Sequence, residues 1–163
     1  MTGTPSDALL KKILGETRTI ACVGMSLNPI RPSYFVGRYL HLRGYRIIPI
    51  NPSYPGCDFY GEPVYDSLRS IPESTSVDMV DIFRRPEYVP GLVVEAISVL
   101  VPGLSTIWMQ IGIAHEHAAD EAAAHGLQVV QNRCPKIEHQ RLFGELRKFG
   151  FNTGIISSRL GDD

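Results

Sequence analysis

Five short apolar runs alternating with helical patterns predict an α/β fold, a doubly wound parallel five-stranded sheet with helices on both faces. Three observations carry this. The runs Thr19–Val23, Tyr45–Ile50, Val77–Phe83, Thr106–Ile111 and Leu127–Val130 are short, apolar and closed by Gly, Pro or Asn within a few residues. Between them lie stretches whose apolar residues recur three and four apart, as on one face of a helix. The first run passes through Gly24 directly into such a stretch, the strand, glycine turn and helix that open a βαβ unit. Right-handed crossovers then give the Rossmann-like strand order 3-2-1-4-5, with a switch point beside the first strand. A chain of 163 residues that is 44% hydrophobic is read as one globular domain over 1–163 with a sizeable core.

Taken in order, Ser6 is placed to cap a first helix over about 7–14, with Leu9, Leu10, Ile13 and Leu14 on its apolar face. After the first strand, Ser33 stands where the cap of a helix over Tyr34–Arg43 is expected, and Gly44 where its C′ glycine belongs. Asn51-Pro52 closes the second strand, since Pro52 has no N–H for a ladder. Residues 53–76, rich in Pro, Gly, Ser and Tyr, read as a long connection with one helical turn near 65–70, and long loops are often functional. The third strand runs into Arg84-Arg85-Pro86 and a helix with Val89, Leu92, Val93, Ala96, Ile97 and Leu100 inward. Ala114–His125 is an alanine-rich helix stopped by Gly126, and Asn132-Arg133-Cys134-Pro135 leads from the fifth strand to a last helix over about 138–149.

In such a sheet, ligands bind at the carboxyl ends of the strands. The loop after Gly24 carries one cation, Arg31, and no acid, which suits an anion facing free backbone N–H groups. It is not the dinucleotide fingerprint: the positions after Gly24 read Met25, Ser26, Leu27, Asn28 and Pro29, where that motif needs further glycines. Ser26 and Asn28 offer side-chain hydrogen bonds instead. An acid after the second strand, the partner of a ribose in NAD-binding folds, is also missing; Asn51, Pro52, Ser53 and Tyr54 stand there.

The formal net charge of −1 gives no electrostatic case for nucleic acid or an anionic membrane. No run is apolar enough for a signal peptide or a membrane span. Three scattered cysteines, Cys22, Cys57 and Cys134, without C-x-x-C or zinc spacing, fit a reducing cytoplasm.

The five strand ends together resemble the CoA-binding domain family, small proteins related to the N-terminal domain of the succinyl-CoA synthetase α-subunit. The matching stretches are V-G-M-S-L-N-P-I-R-P-S-Y, I-P-I-N-P, V-D-M-V-D-I-F-R-R-P, W-M-Q-I-G-I and N-R-C-P-K-I-E-H, with G-F-N-T-G-I-I-S-S in the tail. The resemblance implies coenzyme A or an acyl-CoA as ligand, its diphosphate at Gly24, Ser26, Arg31 and Ser33. It implies the adenosine end at Asn51 and Pro52, a wall of Phe83, Arg84 and Arg85, and the pantetheine arm beside Gln110 and Gly112. The family often has Lys where this chain has Tyr54, so recognition of the 3′-phosphate falls to Arg84 or Arg85. The synthetase's phosphorylated histidine lies on a further domain, for which the roughly thirty residues after the fifth strand leave no room. A binding or regulatory module is therefore expected before an acyl-CoA-handling enzyme, and either before an NAD(P)-dependent oxidoreductase. A homodimer or an unassigned protein partner is compatible with this reading.

Other chemistry-bearing residues have plainer readings. Trp108 and Met109 alternate within a strand and are expected in the core, as is Cys22. His115 and His117 do not share a helix face and read as surface. Glu138-His139 lacks a third orienting group for a nucleophilic site. Asn132 and Cys134 end the fifth strand, and Cys134 sits beside Arg133 and a helix start, surroundings in which thiols are reactive.

Overall fold

The computed structural model describes residues 3–144. Ser6 caps α1 (Asp7–Glu16), its hydroxyl accepting from the Leu9 N–H at 3.1 Å. β1 (Thr19–Val23) leads through the Gly24 loop to α2 (Pro32–Leu42) and β2 (Arg46–Ile50). A small hairpin of β3 (Asp58–Phe59) and β4 (Glu62–Pro63) follows, then a 3-10 turn at Leu68–Ser70 and β5 (Met79–Ile82). α3 (Val89–Leu100), β6 (Thr106–Met109), α4 (Glu116–Ala124), β7 (Gln128–Val130) and α5 (Pro135–Leu142) complete the order. The sequence-predicted helix over 138–149 begins earlier, at Pro135; its part beyond residue 144, and the tail motif, lie outside the described residues.

The fold class is the expected one, a five-stranded parallel sheet covered on both faces. Alternation along each strand sorts the core into two layers. Ala21, Val23, Ile48, Val80, Ile82, Ile107 and Met109 pack under α3 and α4. Ile20, Cys22, Ile47, Met79, Trp108 and Val130 pack under α1, α2 and α5.

The strand order needs one correction. Along the sheet it is β2-β1-β5-β6-β7, so the third strand of the sheet lies against the first, with Ile20 opposite Met79 and Val23 opposite Ile82. The order 3-2-1-4-5 would have placed it outside β2. That edge is occupied by the chain's own 51–78 connection: Tyr65 bridges Ile50, its N–H donating to Pro49 at 3.0 Å while Asn51 N–H donates to its carbonyl at 2.8 Å. Glu62 on the hairpin also clamps Arg46 of β2 at 2.6 Å. With β2 covered, β5 takes the free edge of β1, and the switch point still falls beside β1.

α2 also starts earlier than the sequence suggests. Pro32 takes its first position, where a missing N–H costs nothing, and Arg31 is the cap residue. Ser33 is thereby freed from capping and accepts instead from the Ser26 N–H at 2.9 Å. Gly37 lets α2 settle on this loop, since a Cβ there would stand 2.6 Å from the Met25 methyl.

One core position breaks the apolar pattern. Asp81 in β5 is fully buried, in register between Cys22 and Trp108, and neither of its oxygens has a hydrogen-bond partner among the described residues. Burial holds its carboxyl well above the ordinary carboxylate range. The Cys22 thiol is raised as well, by burial first and the neighbouring Asp81 second.

Candidate functional site

The loops at the carboxyl end of the sheet are built from its own hydrogen-bond ladder. Gly24 N–H donates to Ile50 at 2.8 Å, Phe83 N–H to Val23 at 2.9 Å, Gln110 N–H to Ile82 and Arg133 N–H to Met109 at 3.2 Å each. Each loop is therefore fixed to the strand beside it. Gly24 turns the chain at φ +84°, and a Cβ there would meet the Arg84 side chain at 2.8 Å; both reasons require glycine.

Beyond Gly24 the loop is held by side chains. The Ser26 hydroxyl accepts from Asn28 N–H at 3.0 Å and lies 3.1 Å from the Tyr54 hydroxyl. Asn28 Oδ1 accepts from Ile30 N–H at 3.2 Å. Asn51 donates to the Met25 carbonyl at 3.0 Å and accepts from Ser53 N–H at 2.9 Å. The two loops after β1 and β2 thus form one connected wall.

Between them and α5 lies a cavity of about 790 Å³. Of the sequence-predicted residues it brings together Gly24, Ser26, Arg31, Ser33, Asn51, Tyr54, Phe83, Gln110 and Cys134. Asn28, Pro52, Arg84, Arg85, Gly112 and Asn132 stand outside its wall. Their roles are local. The Arg84 guanidinium lies over the Tyr88 ring at 4.3 Å, and Arg85 pairs with Glu87 at 3.4 Å. Asn132, in a left-handed conformation at φ 57°, accepts from Gly112 N–H at 2.7 Å and so ties the loops after β6 and β7.

Sequence reasoning missed Lys136, Phe35, Ile111, Ile113 and Ile137, which also line the cavity. Lys136 and Ile137 sit in the first turn of α5, and their part in the wall follows from how α5 leans on α2. A signal for Ile111 was present, an apolar residue just past a strand end.

Electrostatically the wall is one-sided. Among the described residues it contains two cations, Arg31 and Lys136, and no Asp or Glu. Gln110 is 8% exposed, and its Oε1 has no hydrogen-bond partner among the described residues. The titratable pair Glu138-His139 is engaged elsewhere: Glu138 holds Arg133 at 3.2 Å and Arg141 at 2.6 Å, and His139 Nδ1 lies 2.9 Å from the Tyr39 hydroxyl. His115 caps α4, its Nδ1 accepting from Ala118 N–H at 3.1 Å. Trp108 and Met109 are fully buried, as expected, and the indole N–H donates to the Arg133 carbonyl at 2.8 Å. Among the described residues no group of three His, Cys, Asp or Glu has metal-binding geometry, and no helix is long and apolar enough to cross a membrane.

The fold and the cavity are those of a Rossmann-like domain with a cationic cleft at its switch point. The chain belongs to the CoA-binding domain family, whose model, described as a CoA binding domain, matches residues 18–140. It is 34% identical over 135 residues to the uncharacterized protein YneT of Bacillus subtilis (strain 168), covering 83% of this chain and 95% of that one. A hypothetical protein from Pyrococcus horikoshii OT3 superimposes with a TM-score of 0.78 at 33% identity, over 88% of this chain and 99% of that one. An acetyl-coenzyme A synthetase from Ca. Korarchaeum cryptofilum shares the fold, with a TM-score of 0.57 at 20% identity over 74% of this chain and 27% of its own.

Proposed function

We propose that this protein holds coenzyme A or an acyl-CoA across the carboxyl ends of its sheet, as a binding or regulatory module. One observation carries the reading: among the described residues, the switch-point cavity presents Arg31 and Lys136 and no carboxylate. A ligand with several phosphates is favoured there, and the CoA-binding domain match supports coenzyme A. The adenosine end lies against Asn51, Ser53 and Tyr54. The diphosphate meets Ser26, Ser33 and Arg31 beside the start of α2, where the helix dipole favours an anion. The pantetheine arm passes Phe83 and Gln110, whose unpartnered amide oxygen suits the N–H groups of that arm.

With Arg84 and Arg85 outside the wall, the 3′-phosphate is left to Arg31 or to water. The engagement of Glu138 and His139 in ion pairs and a buried hydrogen bond supports binding over catalysis. Calorimetry with CoA, NAD and NADP tests the reading. CoA is expected to bind most tightly, and tighter binding of NAD would overturn it.

A further inference from the structure

We infer that Cys134 is a site of covalent CoA attachment, forming a mixed disulfide with the pantetheine sulfur by exchange with the disulfide form of CoA. The inference rests on the CoA reading above and adds a reaction to it. Cys134 is only 5% exposed, yet it lines the ligand cavity and also a neighbouring one of about 470 Å³. Its position is fixed on both sides. The adjacent Arg133 donates its N–H to Met109 at 3.2 Å and accepts from the Trp108 indole at 2.8 Å. α5 begins at Pro135, directly after it.

The second observation is Gln110, on the same cavity wall, buried with its amide oxygen unpartnered. Gln110 directly follows β6, and Cys134 stands in the loop four residues past β7, the neighbouring strand. In pantetheine the last amide N–H precedes the sulfur by two methylenes. If that N–H donates to Gln110, the sulfur is delivered toward Cys134. The longer span agrees. From the loop after β1 to the loop after β7 is three strand spacings, about 14 Å. About twelve bonds separate the ester oxygen of the diphosphate from the thiol sulfur, and at roughly 1.2 Å of advance per bond they cover about 14 Å.

The step balances without an external oxidant beyond the CoA disulfide itself. Cys134 loses its proton to solvent, and its thiolate attacks one sulfur of the CoA disulfide. That S–S bond breaks as the new one forms, and CoA thiolate leaves and takes up a proton. One disulfide replaces another, so the oxidation level is conserved. Because Cys134 is nearly enclosed, a disulfide gains access to it by occupying the cavity. Small disulfides without the nucleotide anchor are therefore poor partners.

The exposed Cys57 would react with any disulfide, so the test uses full-length Cys57→Ser protein. It is incubated with CoA disulfide or with glutathione disulfide and followed by intact mass and peptide mapping, while calorimetry measures binding of reduced CoA to the same protein. The expected result is a single CoA adduct on the Cys134 peptide, formed at least about tenfold faster than the glutathione adduct because binding orients the sulfurs. It should be lost in the additional Cys134→Ser variant. In protein that binds reduced CoA, no adduct at Cys134, or equal rates for the two disulfides, overturns the inference and leaves the CoA reading standing. Failure to bind reduced CoA overturns both.

Discussion

The two ends of the one parallel sheet are built on opposite principles. At the amino ends polar groups satisfy one another. The Asp78 carboxylate accepts from the N–H groups of Arg18 and Thr19 at 3.0 and 2.9 Å, and its carbonyl accepts from Ser105 and Thr106 at 2.9 and 3.1 Å. The groove there is small, about 280 Å³, and mixes Lys12 with Glu16 and Asp78. The carboxyl ends hold a larger cleft whose charged lining residues among those described, Arg31 and Lys136, are both cations, together with a buried Gln110 oxygen that has no donor among the described residues. Parallel strands explain the asymmetry, since every βα loop and helix N-terminus arrives at the same end. Closing one end on itself stabilises the fold. Leaving the other open makes room for a ligand.

This contrast predicts that mutations at the two ends separate stability from binding. The largest effect is expected for Asp78→Ala, which strands two backbone N–H groups. It should lower unfolding stability by about 2–4 kcal/mol while leaving the affinity of the folded protein for CoA unchanged. Denaturant titration and calorimetry on the same sample read both, and a weakened affinity without loss of stability would erase the distinction. Next is Arg31→Ala at the open end. CoA binding should weaken by about 1.5–3 kcal/mol if Arg31 makes a charge-assisted bond to phosphate, with the unfolding midpoint unmoved. An unaltered dissociation constant would remove Arg31 from the site.

A graded effect, small per pH unit, concerns Asp81, midway between the ends. Burial raises its carboxyl above the ordinary 3.8 of the unfolded chain, so the native protein holds a proton that the unfolded chain has released. Its contribution is most favourable below that value and declines as pH rises toward the folded pKa, by at most about 1.4 kcal/mol per pH unit. The difference in unfolding free energy between wild type and Asp81→Asn should therefore change with pH from about 4 upward. Parallel pH profiles for the two proteins would show that Asp81 ionises normally in the fold.

Much of the candidate site was legible because the loops after parallel strands gather at one end of the sheet, and Gly24, Asn51, Gln110 and Cys134, which line the cavity there, mark those loops in the sequence. Arg84 and Arg85, expected on the wall, lie outside the lining of this cavity. Strand-end placement gives a residue's height above the sheet, whereas the Tyr88 ring and Glu87 determine where these side chains go. Residues 53–76 read as a connection because β3 and β4 are two residues each, too short for any alternation to register.

The sequence by itself determined the alternation of strands and helices, the two core layers, the glycine turn at Gly24 and the absence of the dinucleotide pattern. These are local properties: side-chain periodicity, β-branching and backbone freedom act within a few residues. Only the tertiary structure decided that β5 lies against β1, that Lys136 joins Arg31 in one cleft, and that Asp81 and Gln110 carry oxygens without partners among the described residues. Each depends on contacts between segments far apart in the chain. The covered edge of β2 is the clearest case: Tyr65 and Glu62 hold it through bonds to Pro49 and Arg46, and local pattern carries no record of such distant pairings.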